Sequence, residues 1–228
     1  MNFNELGWAA VCFYYRSIGD AKYCKIMKDT KFIVRLRETP SEIDPEEFEQ
    51  KVILDYINIQ SYDLLIEHRL ASTILNVIIK LQPELSLLHN TTLLDCDLSD
   101  SRFKEQINNI YFSFSSIYGL WQTGVSKIMH LLNDKLFVML DLSISDDFGL
   151  LKDGINISSW FGLAQINVRE VTKDFQERGY SGSPEQFISR ELGYTKYGCE
   201  KSIVKFLDEY FWLRHGDHLP IPPRWIPS

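Results

Sequence analysis

Cysteine is scarce in this chain: Cys12, Cys24, Cys96 and Cys199 are the four among 228 residues, and they are far apart. No C-x-x-C pair occurs and no histidine lies at zinc-ligand distance from them, which argues against a structural zinc site and against a disulfide-framed secreted fold. The expectation is reduced, mostly buried thiols in a cytoplasmic protein. Long apolar runs are also missing. Nothing approaches the roughly 18 residues that span a bilayer, so no membrane association is expected. The apolar stretch 7–15 follows Glu5 instead of a basic segment and does not read as a signal peptide. Positive charge is in deficit, with 24 Lys and Arg against 31 Asp and Glu, a net charge of −7. That balance excludes a protein that coats nucleic acid by bulk electrostatics. Proline is rare and badly spread, since four of the eight fall in the last ten residues. No internal repeat appears, and no Gly-, Ser- or Pro-rich linker divides the chain.

What is present is helical periodicity. Hydrophobic residues make up 45% of the chain, enough for a core without staples. Leu6, Ala9, Ala10, Phe13 and Tyr14, then Tyr23, Ile26 and Met27, recur at spacings of three and four, interrupted at Ser17-Ile18-Gly19-Asp20. Asp44-Pro45-Glu46-Glu47 and Ser183-Pro184-Glu185-Gln186 each place a cap residue, then proline where its missing N–H costs nothing, then Glu or Gln. Helices are expected over 44–59, 62–81 (stopping before Pro83), 101–118, 125–132, 158–178 and 199–214, with a loop at 91–100. The segment 31–37 alternates loosely and is the one strand candidate. The fold class is therefore all-α: a single compact multi-helix array over 1–228, with sub-lobes at about 1–100 and 101–228 and a Pro-rich tail at 219–228.

The segment 119–145 reads GLWQTGVSKIMHLLNDKLFVMLDLSIS. It resembles the signature of helix-hairpin-helix DNA glycosylases, which cleave the bond between a base and its deoxyribose. The resemblance implies a hairpin at Leu120, Gly124 and Val125 whose backbone amides bind a DNA phosphate. Ser126 stands where a second glycine is usual. It also implies an amine at Lys127, an apolar run at Phe137–Leu140, and a carboxylate at Asp141 opening the next helix. The chemistry is coherent. Breaking the N-glycosidic bond builds positive charge on the sugar, which a carboxylate stabilises. A desolvated lysine loses its proton and can attack C1′. The extruded base needs an aromatic lining, for which Tyr118, Trp121, Trp160 and Phe161 are the candidates. No cofactor or metal is called for. Read without the resemblance, Asp141 is a helix cap and Lys127 a solvated helix residue.

Charge is unevenly distributed. Residues 16–37 hold seven basic and two acidic residues, a net +5, and residues 101–140 four and two, a net +2. Lys22, Lys25 and Lys28 form one helix stripe that suits a phosphate backbone, and equally suits a solvated helix face. Asp95, Asp97 and Asp100, with Asp141, Asp146 and Asp147, would hold Mg²⁺ if the fold brought them together, although most are explained as caps. His215-Gly216-Asp217-His218 follows a helix and reads as a dipole-complementing turn. Trp225 and Ile226 in the tail favour docking on the body, or an extended segment offered to a protein partner. Two functions follow from different classes: a glycosylase-like enzyme that contacts DNA through a local basic face, and a non-catalytic helical protein that binds a partner protein or small ligand.

Overall fold

The computed structural model describes residues 1–16, 18–57, 64–149 and 157–220. Within them lie eleven α-helices and no strand. The tail beyond 220, and with it Trp225 and Ile226, lies outside the described residues. The first three helices are α1 (Phe3–Arg16), α2 (Ile18–Lys28) and α3 (Thr30–Glu38). The strand expected at 31–37 is thus a helix. Asp29 caps it by accepting the Phe32 amide at 3.1 Å, and the buried residues Phe32, Ile33 and Leu36 follow a helical period, leaving Val34 exposed.

Asp44 accepts the Glu46 amide at 2.7 Å and starts α4 (Pro45–Phe48), which widens into a π-helical stretch over Glu49–Ile57. That stretch buries Val52, Ile53, Tyr56 and Ile57. The next helix, α5 (Leu64–Leu88), runs through Pro83 instead of stopping before it. Proline removes the amide that would bond the Ile79 carbonyl, and Ile79 lies on the exposed side of the helix. Then follow α6 (Ser101–Ser115), α7 (Gln122–Leu132), α8 (Leu142–Asp147), α9 (Ile157–Glu177), α10 (Pro184–Glu191) and α11 (Ile203–Phe211). Asp100, Ser183 and Ser202 cap α6, α10 and α11 through their side chains.

The N-terminal helix packs on the C-terminal half of the chain, against α9, α10 and α11. Phe3 sits edge-on to Phe175 at 4.9 Å and to Phe187 at 5.7 Å. The cysteines depart from expectation. Cys24 on α2 and Cys199, just before α11, are joined in a disulfide, while Cys12 and Cys96 are not. The partners are 175 residues apart, so no local spacing announced the bond, and it removes the thiol argument for a reducing compartment. Cross-linking so long a loop restricts the unfolded chain. Cys24→Ser is expected to lower stability by about 2–4 kcal/mol in urea titrations. Reductant should produce the same loss in the wild type and none in the variant; wild-type and variant curves that coincide without reductant would contradict this.

No helix among the described residues is long and apolar enough to cross a membrane.

Candidate active site around Lys127

Helices α6 and α7 pack together and are joined by the turn Ser116–Trp121. Gly119 has φ +87°, a left-handed conformation that side chains resist, and it lets the chain reverse there. Ile117 and Leu120 point inward and anchor the turn. The hairpin therefore lies before Gly124, not at it. Gly124, Val125 and Ser126 are buried in α7, and the Val125 amide already donates to the Trp121 carbonyl at 2.9 Å. Gly124 is glycine for packing: a Cβ there would meet Leu120 Cδ1 at 2.7 Å. These three residues are not an open phosphate cradle.

Ser126 has a different task. Its hydroxyl donates to the Leu140 carbonyl at 3.1 Å and accepts from the Leu140 amide at 2.9 Å. One turn on, His130 Nδ1 donates to the Phe137 carbonyl at 2.7 Å, because a carbonyl only accepts. Together they hold the apolar run Phe137–Leu140 along α7. The run delivers Asp141 to the start of α8, where its carbonyl accepts the Ser145 amide at 2.9 Å. Asp141 thus occupies the position of a helix cap. Gln122 donates to Ser145 and ties the start of α7 to α8.

Lys127 lies on the same helix and is half-buried. Its ammonium sits 5.7 Å from the centroid of the Tyr56 ring, and no carboxylate among the described residues is within ion-pair distance. Burial pulls its pKa below the ordinary lysine value. Asp208 and, more weakly, Asp141 oppose that shift, while Lys205 and Lys22 reinforce it. Lys127 and Asp141 are therefore within electrostatic reach of each other, and so is Lys22 of the basic stripe. Lys205, Asp208 and Tyr56 were not legible as site residues, because they lie in distant segments.

Behind Lys127 is a buried ionic centre. Lys201 is fully enclosed; it donates to the Tyr194 hydroxyl and to Glu209, each at 2.7 Å, and pairs with Asp20. Tyr194 donates to Asp20 at 2.6 Å. Lys205 pairs with Asp208 at 2.7 Å and with Glu209 at 3.5 Å, and stands over Phe13 at 4.8 Å. Burial alone would lower the Lys205 pKa, but Asp208 and Glu209 outweigh it and keep the group charged.

His130 is fully buried beside Tyr23, with Nε2 unpartnered among the described residues. Burial lowers its pKa, so the folded protein holds it neutral. The unfolded chain binds a proton near pH 6.5 more readily, and stability must fall as pH drops through that value. The slope from one group is at most about 1.4 kcal/mol per pH unit. His130→Asn, which preserves a donor toward Phe137, is expected to flatten the wild-type dependence between pH 7 and pH 5.5. An unchanged slope in thermal melts would contradict the neutral assignment.

The remaining candidates divide. Trp160 is buried in the core, 4.8 Å from Phe211 and 5.6 Å from Phe148, and Phe161 is buried against Phe137; neither lines a base pocket. Tyr118 and Trp121 are 93% and 75% exposed on the hairpin and do not enclose a base either. Packing explains the difference: helix α9 turns Trp160 inward, while the turn leaves Tyr118 and Trp121 outside. On α2, Lys25 pairs with Asp55 at 2.7 Å, so a carboxylate competes with any phosphate for it. Lys22 is half-buried and lines a small cavity of about 60 Å³ with Lys25, Asp29, Lys51 and Asp55; Lys28 is exposed. A groove of about 880 Å³ lies between Thr92–Asp95, Asp134–Lys135 and Ser181–Arg190, but neither Lys127 nor Asp141 lines it. No group of three or more His, Cys, Asp or Glu among the described residues is arranged to hold a metal. His215 pairs instead with Asp147 at 2.9 Å.

No protein-family model, curated protein or solved structure matches the chain.

Proposed function

We propose that the chain is a DNA-processing enzyme of the helix-hairpin-helix glycosylase type, in which Lys127 is the nucleophile and Asp141 the electrostatic partner. The observation that carries this reading is a largely desolvated lysine without an ion-pair partner among the described residues, presented by the second helix of a hairpin pair and within electrostatic reach of Asp141. A structural lysine is commonly paired with a carboxylate, and none among the described residues lies within ion-pair distance of this half-buried one.

The step balances as follows. Neutral Nζ attacks C1′ of the damaged nucleotide, and the C1′–N bond breaks with its electron pair leaving on the base. The amine gives one proton up to the departing base; ring opening then puts the C1′–O4′ electron pair on O4′, which takes a proton from water, and a protonated imine remains between Nζ and C1′. Asp141 offsets the positive charge that develops on the sugar. Lys22 and Lys28 would supply local phosphate contacts on an otherwise acidic body.

The test uses DNA with an abasic site, whose open aldehyde condenses with an amine and expels water. Borohydride then reduces the imine to a stable secondary amine. A covalent protein–DNA adduct is expected from the wild type, and its absence would favour a non-catalytic helical protein. DNA binding through the basic face should also weaken steeply as salt rises, since each phosphate contact releases counterions. Filter binding that is indifferent to salt would remove the basic face from the account.

A further inference from the structure

The groove of about 880 Å³ beside α10 has the size of a small-molecule site, for which roughly 300–1,000 Å³ is usual. Its wall holds a hydroxyl that the fold leaves unused. Ser189 of α10 lines the groove and is 2% exposed, and its Oγ has no hydrogen-bond partner among the described residues. A helical serine or threonine has a ready acceptor in the carbonyl four residues back. Thr73, Ser86, Ser113 and Thr172 each take that acceptor, at 2.7–2.8 Å. Ser189 leaves the Glu185 carbonyl alone, although it is more deeply buried than those four. A hidden hydroxyl is bonded as a rule, because an unmade bond carries the full cost of desolvation. Its place in a groove wall points to a partner that enters the groove.

Charge sets the kind of partner. Among the lining residues, Lys201 has its ammonium held inside by Glu209 and Tyr194, and Asp134 is paired with Arg37 at 2.8 Å. Asp95, Glu185 and Glu200 remain as acceptors, and Lys135 and Arg190 as donors, although Arg190 also reaches Glu191 at 3.2 Å. Arg169 stands at the same rim and donates to the Leu94 carbonyl at 3.3 Å. Lys173 and Lys196 directly follow the lining residues Thr172 and Thr195. An anion would therefore meet carboxylates here, and a cation would meet ammonium and guanidinium groups. A ligand hydroxyl uses both, since it donates to a carboxylate and accepts from a cation. The half-buried residues Leu94, Phe187 and Ile203 interrupt the polar wall and suit the C–H faces of a ring.

We infer that this groove binds an uncharged, polyhydroxylated small molecule of the mono- or disaccharide class, with Ser189 bonded to one of its hydroxyls. Neither Lys127 nor Asp141 lines the groove, so the inference stands apart from the enzyme reading.

Saturation-transfer NMR on the full chain tests it, with glucose, galactose, mannose, N-acetylglucosamine, maltose and lactose offered together and then singly. At least one sugar is expected to take up saturation, and titration then gives its Kd. Ser189→Ala should weaken that sugar by about 2- to 10-fold, the range of one neutral hydrogen bond. Its melting temperature should hold or rise, because the fold loses only an unbonded hydroxyl. Lys135→Ala and Glu200→Ala, both at exposed positions, should weaken the same sugar, since groups of either sign take part. Absence of saturation on all six sugars would overturn the inference. So would a sugar bound equally well by the three variants, or a Ser189→Ala protein that melts below the wild type. Glucose 6-phosphate or glucosamine bound more tightly than every neutral sugar would mark a site for a charged ligand and overturn it as well.

Discussion

Lys127→Ala is expected to abolish the borohydride-trapped adduct and to slow base release by about a thousandfold or more, because no second amine is held in the same desolvated position. Lys22 is the nearest competitor by charge, but burial acts on Lys127. Asp141→Asn should slow base release while leaving trapping on a preformed abasic aldehyde largely intact, since condensation with an aldehyde needs no help in expelling the base. Lys127→Met provides the structural control. It retains an apolar stem against Tyr56 and removes a charge that is costly to desolvate, so stability should hold or rise slightly. Loss of the adduct with a preserved melting temperature is the pattern of a functional lysine. Loss of both would mark Lys127 as structural.

Lys201→Met should be the most damaging single change outside the site. Lys201 faces Asp20, Glu209 and the Tyr194 hydroxyl with no exposure to water. Removing one partner of a buried pair costs about 3–5 kcal/mol, because the carboxylates left behind lose their countercharge in a poorly polarisable interior. For a chain of this length that amounts to a fall of roughly 6–20 °C in melting temperature. The double variant Lys201→Met with Glu209→Gln should recover part of the loss, as the amide leaves one less uncompensated charge. A melting temperature within a degree or two of the wild type for Lys201→Met would show that water reaches this centre.

Local signals carried the helices well. Asp44-Pro45 and Ser183-Pro184 begin helices where the cap chemistry places them, because a cap acts over three or four residues. The segment 31–37 misled because its loose alternation competes with a helical period that only the burial of Phe32, Ile33 and Leu36 distinguishes. Pro83 misled because a proline disfavours a helix without forbidding it, and α5 continues through it for a further turn. Long-range features were silent altogether. Nothing around Cys24 marks Cys199 as its partner, and nothing near Lys127 announces Asp208 or Lys205, which arrive on α11. The aromatic candidates could not be placed from the sequence: Trp160 sits within α9 and Trp121 at a turn, and only the fold says which faces water.

The position of the covalent bond tests the central claim most directly. The reduced adduct with abasic DNA is digested with protease and nuclease, and the modified peptide is sequenced by mass spectrometry. The account predicts a deoxyribose remnant on Lys127. Modification spread over Lys22, Lys25 and Lys28, or no modified lysine at all, would contradict it.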